Sequence, residues 1–125
     1  MIMFKEKINI RNCSFKSLNI YGAYFLNGFS IINNLFDDIL QLMHSSHGAK
    51  ESSMILNKNS FRGFVDFEDV TFNTSIEILD NDFSGGSNLL TMGQLKPEFL
   101  GDCQTLNNTG NLKVSKEQRS RIYTL

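Results

Sequence analysis

The chain has 125 residues, 41% of them hydrophobic, which is enough for one domain with a core but leaves no room for a separate catalytic domain. Its net charge of −1 excludes the strongly basic footprint of a nucleic-acid-binding protein, so we expect no direct nucleic-acid binding. No apolar run is long enough to span a membrane and the N-terminus lacks the apolar stretch of a signal peptide, so we expect no membrane contact and a cytoplasmic location.

One short unit is repeated along most of the chain, with apolar residues at positions one and three and an aromatic residue at position eight. The first residues of its seven copies are Ile8, Leu18, Phe29, Leu40, Met54, Val65 and Ile76. Successive copies begin 10, 11, 11, 14, 11 and 11 residues apart, with the extra residues beside His47. This spacing is inconsistent with the periodicity of a helix, whereas apolar residues at i and i+2 lie on one face of a strand. Each copy is therefore predicted to be a strand followed by a polar turn.

Position six distinguishes odd copies from even copies. The odd copies carry Cys13, Asn34, Asn59 and Asn81, and the even copies carry Ala23, Ser45 and Val70. If two copies make one turn of a coil of about 22 residues, the asparagines stack and bond as a ladder of amides. The same stacking predicts two aromatic columns, Phe15, Phe36, Phe61 and Phe83 in one and Phe25, His47 and Phe72 in the other. The alternation favours a parallel β-helix over an antiparallel meander or small sandwich, where nothing requires every second copy to match.

The repeat decays after Phe83, which sets the predicted boundaries. We expect an all-β, right-handed parallel β-helix of about 3–4 coils over residues 1–96, and a C-terminal cap over residues 97–125. Phe99 and Leu100 are expected to plug the last coil, and residues 1–4 to cover the first.

The end of the cap carries a helix signal. Ser115 and Gln118 have the spacing of a capping box, which predicts a short helix from Ser115 to about Tyr123. Arg119 and Arg121 lie towards the end of this helix, where cations are favoured. The cap is thus predicted to close the last open coil with a helix.

Three successive five-residue blocks, residues 13–17, 18–22 and 23–27, have an apolar residue at their centre (CSFKS, LNIYG and AYFLN). They resemble the pentapeptide-repeat proteins and, more broadly, right-handed parallel β-helices, as do residues 65–69 and 70–74. The resemblance covers roughly residues 8–83, with one extra residue per unit. It implies a bacterial or phage protein that presents a surface to another protein, and some members of the family mimic DNA and bind DNA gyrase.

Acidic residues are concentrated between Phe64 and Leu90, a stretch without Lys or Arg, whereas basic residues dominate near both termini. The acidic residues are Asp66, Glu68, Asp69, Glu77, Asp80 and Asp82. We expect them to form a face that binds a partner protein, in one version as a mimic of DNA. The alternative is an ordinary solvated face with Asp residues at the corners. An end of the solenoid is the candidate for a second contact or a homodimer.

His44 and His47 have the only metal-like spacing, but two histidines without a cysteine or carboxylate nearby make a weak zinc site, and no metal or cofactor is predicted. His47 occupies a Phe position, so we expect its ring to lie partly inside the coil, where it could form a pH-sensitive corner. Cys13 and Cys103 are too few for a disulfide scaffold and fit a reducing compartment, although one bridge between them stays open.

No phosphate-binding loop, nucleotide fingerprint or nucleophile motif is present, so we predict that the protein is not an enzyme. The first functional hypothesis is a rigid, partly acidic protein-interaction module. The second is a small carbohydrate-binding or carbohydrate-cleaving β-helix of phage or cell-surface origin, with Tyr21 and Tyr24 stacking on sugars. Carboxylate pairs for glycoside hydrolysis are poorly supported, because so few coils leave little room for a cleft. A third hypothesis is an accessory piece of a larger assembly.

Overall fold

A computed structural model of the protein describes residues 2–48, 52–115, 117 and 118. Within these residues every strand pairing is parallel, and each strand pairs with the strand one turn earlier or later in the chain. The chain is therefore a parallel β-solenoid, and the antiparallel meander is excluded. Its strands form four sheets, so the cross-section has four sides.

The four sheets are numbered in the order in which each coil passes through them. Sheet 1 contains β1 (Ile2–Phe4), β5 (Ala23–Phe25), β9 (Ser46–His47), β13 (Thr71–Phe72) and β16 (Glu98–Phe99). Sheet 2 contains β2 (Ile8–Arg11), β6 (Phe29–Ile32), β10 (Met54–Asn57), β14 (Ile76–Leu79) and β17 (Cys103–Leu106). Sheet 3 contains β3 (Ser14–Phe15), β7 (Leu35–Phe36), β11 (Ser60–Phe61), β15 (Asp82–Phe83) and β18 (Thr109–Gly110). Sheet 4 contains β4 (Leu18–Asn19), β8 (Leu40–Gln41) and β12 (Val65–Asp66), and is extended by a bridge from Val65 to Ser87.

Two copies of the sequence unit make one turn, as predicted. Phe29 pairs with Ile8 in the coil before it and with Met54 in the coil after it, so odd copies stack on odd copies. Each copy contributes two short strands rather than one, because its apolar pair lies in sheet 2 or 4 and its aromatic position in sheet 3 or 1. The spacing of 10–11 residues is thus half a coil.

Two columns of stacked rings fill the interior behind sheets 1 and 3. Behind sheet 3, the rings of Phe15, Phe36, Phe61 and Phe83 stack with centroids 4.9–5.3 Å apart. Behind sheet 1, Phe4, Phe25, His47, Phe72 and Phe99 stack with centroids 4.7–5.3 Å apart. The predicted columns are confirmed, and the second column is longer than predicted by one ring at each end. Offset stacking of buried rings adds to the gain from apolar burial.

The predicted asparagine ladder lies at the buried corner between sheets 2 and 3. The Nδ2 of Asn34 donates to the Oδ1 of Asn59 at 3.1 Å, and the Nδ2 of Asn59 donates to the Oδ1 of Asn81 at 3.0 Å. Asn81 in turn donates to the Oδ1 of Asn108 at 2.9 Å, a fourth member that the sequence pattern did not include. At the other end, the backbone N–H of Cys13 donates to Asn34. The side-chain amides thus satisfy one another's hydrogen-bonding groups at the corner where the backbone turns.

The corners require unusual backbone conformations. Before each ladder position stands a residue with φ between 56° and 60°, in turn Asn12, Asn33, Lys58, Asp80 and Asn107. Asn and Asp tolerate this left-handed region better than other residues with a side chain, which explains their frequency here. At the corner between sheets 3 and 4, a Cβ on Gly63 would lie 2.3 Å from the carbonyl carbon of Asp38. Neighbouring coils therefore touch through their backbones at that corner, and only glycine fits.

The solenoid has about five coils rather than 3–4, because β16, β17 and β18 pair in register with the coil before them. The boundary predicted at residue 96 therefore falls inside the solenoid, and residues 98–110 are a coil, not irregular capping structure. Phe99 continues a ring column and Leu100 is exposed, so neither plugs the end as we predicted. The sequence pattern failed here because the coil from Phe72 to Phe99 has 27 residues and the inward side chains of the next coil turn polar at Cys103 and Thr105.

The predictions for the two termini have different outcomes. Residues 2–4 do not cover the first coil but form β1, which pairs with β5 and is part of that coil. The capping box is confirmed, since the N–H of Gln118 bonds to the Oγ of Ser115 and the N–H of Ser115 bonds to the Oε1 of Gln118. Glu117 and Gln118 are helical, and the rest of the helix predicted to follow, with Arg119, Arg121 and Tyr123, lies outside the described residues.

Candidate functional site

Two of the six acidic residues predicted for the binding face are buried. Asp66 is 0% exposed, and its Oδ1 accepts hydrogen bonds from the backbone N–H of Glu68 at 3.0 Å and the Nδ2 of Asn88 at 2.8 Å. Glu68 is only 8% exposed. Asp66 lies in β12 of sheet 4, on the outer side of the strand by alternation, and Glu68 follows two residues later. Their carboxylates are therefore parts of the packing over sheet 4, not of an open docking surface.

Asp69 lies at the exposed corner between sheets 4 and 1. Its Oδ2 is 2.9 Å from the Nδ1 of His44, and the His44 ring lies 4.9 Å from the ring of Tyr21. Both Asp69 and His44 have a left-handed φ of 53°, since they are the corner residues of neighbouring coils. Tyr21, at 66% exposed, presents most of its side chain to solvent. The corner is a small aromatic surface beside a carboxylate.

Three of the predicted residues, Glu77, Asp80 and Asp82, lie on the other side of the solenoid, along sheet 2, the corner and sheet 3 of the fourth coil. Asp80 and Asp82 line a shallow groove of about 540 Å³ that runs along this corner past Lys58. Glu77 lines a second hollow of about 270 Å³ on sheet 2, together with Asp102. Asp102 is exposed and was missed, because Lys96 interrupts the acidic run before it. We call Glu77, Asp80, Asp82 and Asp102 the acidic surface.

The six predicted residues thus do not share one face. Glu77 projects from sheet 2, and Asp66 lies in sheet 4, on the opposite side of the four-sided section. The candidates for a glycosidase pair are therefore divided, with Asp66 and Glu68 on one side and Glu77 and Asp80 on the other. The burial of Asp66 had no signal in the sequence, since position two of the sheet 4 strands is polar in each coil, as is typical of an outward position. These residues are Asn19, Gln41 and Asp66, and Asn88 continues the row.

The two weak metal candidates are separated by the wall of the solenoid. His47 lies inside the ring column, whereas His44 is on the outer corner, paired with Asp69. Across residues 2–48, 52–115, 117 and 118, no group of three or more His, Cys, Asp or Glu side chains could hold a metal ion. Cys13 and Cys103 are free thiols in the first and last coils, which answers the open question of a bridge between them.

His47 stands at the position that holds phenylalanine in the other copies of the unit. Its ring has a similar shape but carries a buried polar edge. Its ring stacks between Phe25 at 4.7 Å and Phe72 at 5.3 Å. The Oγ of Ser45 donates to the carbonyl of Leu42, so it accepts from the Nε2–H of His47 at 3.0 Å. That tautomer leaves Nδ1 without a proton, and Nδ1 has no hydrogen-bond partner among the described residues. Burial lowers the pKa of His47 from 6.5 to about 3.

His47 should make the stability of the protein depend on pH. Because its pKa is lower in the folded chain, only the unfolded chain gains a proton as pH falls from 6.5 towards 3, and stability is lost over that window. At pH 5 the expected loss from this group is about 2 kcal/mol. Urea unfolding at pH 7 and pH 5 measures it, and His47→Phe should remove this part of the loss. His44→Gln should keep it; an unchanged pH dependence in His47→Phe would contradict the assignment.

Comparisons of this chain with protein-family models, with curated proteins and with solved structures gave no match. Membership of the pentapeptide-repeat family is therefore a resemblance in the repeat pattern, and the parallel solenoid is the part of it that the structure supports. Among the described residues, no helix has the length and apolar character needed to cross a bilayer.

Proposed function

We propose that the protein is a non-enzymatic interaction module that binds a basic partner protein through the acidic surface. The carrying observation is that four carboxylates of the fourth and fifth coils line two open hollows, Glu77 and Asp102 in one and Asp80 and Asp82 in the other. Local charge of one sign accelerates encounter with an oppositely charged partner and helps to fix its orientation.

The rigidity of the scaffold supports this proposal. Asp80 is held at a left-handed corner, and Asp82 accepts a hydrogen bond from the Oγ1 of Thr109 at 3.0 Å. The Oε2 of Glu77 accepts one from the Nδ2 of Asn57 at 2.7 Å. Carboxylates positioned before binding lose less conformational entropy when a partner docks. We do not extend the proposal to mimicry of DNA, because Lys58 interrupts the negative charge along the corner groove.

The test is a charge reversal at two positions that tolerate it. Lys58 already occupies the corner equivalent to Asp80, and Asp82 is exposed, so the double variant Asp80→Lys and Asp82→Lys should fold normally. Partners captured from a lysate by the wild-type protein are identified, purified and titrated by calorimetry. We expect the double variant to weaken binding of a true partner about 100-fold, and added salt to weaken binding of the wild type.

The matched control applies the same change of charge elsewhere. Glu6 and Glu98 are exposed and lie outside the acidic surface, so Glu6→Lys with Glu98→Lys should bind like the wild type. Equal losses in both double variants would mean that net charge, not this surface, governs binding. Full affinity in the Asp80 and Asp82 variant would refute the proposal.

Tyr21 supports carbohydrate binding as the second candidate function. An exposed ring beside a carboxylate is the kind of surface on which sugar rings stack, and Tyr21 lies next to the paired His44 and Asp69. Tyr24, the other aromatic residue predicted to stack on sugars, is half-buried on sheet 1 and exposes less of its ring for stacking. A glycan array is the measurement; a ligand that is lost with Tyr21→Ala and kept by the Asp80 and Asp82 variant would favour this second function.

A further inference from the structure

The two ends of the solenoid differ in chemistry. At the C-terminal end, inward positions that hold Ile76, Ile78 and Phe83 in the fourth coil hold Cys103, Thr105 and Gly110 in the fifth. In sheets 2 and 3 the stack therefore ends with small or polar side chains, whereas Phe99 in sheet 1 keeps an inward aromatic ring. At the N-terminal end the inward positions of the first coil stay apolar and are only half-buried; they include Phe4, Ile8, Ile10, Phe15, Leu18 and Ile20. Ile2, Met3 and Tyr21 beside them are exposed. The N-terminal end is therefore an exposed apolar surface, the kind that marks an interaction site.

The first coil also offers open strand edges. Among the described residues, each of β1, β2, β3 and β4 is the terminal strand of its sheet and pairs on one side only. In β2, the longest of them, the N–H groups of Ile8 and Asn12 bond to carbonyls of the second coil. Alternation therefore directs the backbone groups of Asn9 and Arg11 away from the second coil. An extended segment laid along β2 would find hydrogen-bonding groups there and apolar side chains, Ile8 and Ile10, behind them.

Charge decides which kind of segment fits. Four exposed basic residues surround this end, and Glu6 is the one acidic residue among residues 2–20 of the sequence. The basic residues, which we call the basic rim, are Lys5, Lys7, Arg11 and Lys16. Two copies facing each other through this end would bring two basic rims together, which opposes an end-to-end dimer. An acidic partner is attracted instead.

We propose that β2 accepts an extended segment of a partner protein in which apolar and acidic residues alternate. The apolar side chains would cover Ile8 and Ile10 at the open end, and the carboxylates would lie beside Arg11 and the rest of the basic rim. The backbone of the segment would continue sheet 2 by one strand. This contact is separate from the acidic surface in position and in sign of charge, so a partner can occupy either without the other.

Synthetic peptides provide the probe. A labelled ten-residue peptide of alternating valine and glutamate is titrated with the full protein by fluorescence anisotropy, beside a valine–lysine peptide and a serine–glutamate peptide. We expect saturable binding of the first peptide alone. Methylating its alternate backbone nitrogens on the pairing edge should abolish binding, because a methylated nitrogen cannot donate to the sheet edge. Equal binding of the methylated peptide would overturn strand addition.

Protein variants locate the site. Arg11→Glu, an exposed change at the edge of β2, should weaken binding about tenfold. Lys113→Glu, an equal change of charge in an exposed residue after the last coil, should leave it unchanged. The Asp80 and Asp82 double variant should also bind normally, so this proposal and the proposed function fail separately. Self-association in sedimentation, with no peptide bound, would show that a second copy covers this end and would overturn the proposal.

Discussion

Replacing Asn59 by alanine is expected to lower the free energy of unfolding by about 3 to 6 kcal/mol, because it removes the four hydrogen bonds that this buried side chain makes. The N–H and the Nδ2 of Asn34 both donate to the Oδ1 of Asn59, at 3.0 and 3.1 Å. The carbonyl of Ile31 accepts from the Nδ2 of Asn59 at 2.8 Å. Neighbouring coils enclose the corner, so solvent cannot replace these bonds without separating them.

Urea unfolding followed by circular dichroism measures this loss. The matched control is Asn9→Ala, the same substitution at an exposed position of β2, for which we expect a change within about 0.5 kcal/mol. If Asn59→Ala and Asn9→Ala had similar midpoints, the ladder would contribute little to stability and its regularity would reflect turn geometry alone.

Phe72→Ala should cost about 3 to 5 kcal/mol, the range for removing a fully buried aromatic side chain. Phe72 is 1% exposed and packs between His47 and Phe99, with Phe67 at 5.8 Å. Its removal would open a cavity in the middle of the column that neighbouring coils cannot close, since their spacing is fixed by the parallel pairing. Thermal and urea unfolding both report the change.

Phe99→Ala is the informative comparison, because its ring ends the column and is half-buried. We expect it to cost less than Phe72→Ala, and Leu106→Ala, at an exposed position of β17, to cost within about 0.5 kcal/mol. A wild-type midpoint for Phe72→Ala would contradict the packing of this column.

The middle of the solenoid was predictable from sequence because successive coils carry the same residue type at equivalent positions. Asn34, Asn59 and Asn81 recur with odd copies, and stacked amides or rings are favourable only when identical positions lie on top of one another. The alternation of residue types therefore carried the register as well as the number of copies in one turn.

The ends and the acidic residues were not predictable in the same way. The fifth coil lacks most of the apolar pattern, since Cys103 and Thr105 pair with Ile76 and Ile78. Backbone pairing, the ring of Phe99 and the amide of Asn108 hold it in place. The prediction that Asp66 lies on the surface rested on its charge and its place in the acidic run. Yet an outward residue of a solenoid is exposed only where nothing packs over its sheet, and a local pattern does not report that.

The asparagine ladder also gives the molecule a dipole along the axis of the solenoid. Every link runs the same way, from an N–H in one coil to an oxygen in the next coil towards the C-terminus. The side-chain amide dipoles are therefore parallel, with the oxygen of Asn34 at the negative end and the amide hydrogens of Asn108 at the positive end. The basic rim surrounds the negative end and the acidic surface lies near the positive end. The basic rim and the acidic surface thus produce a field opposite to that of the asparagine ladder. This field lowers the electrostatic cost of aligning the amide dipoles.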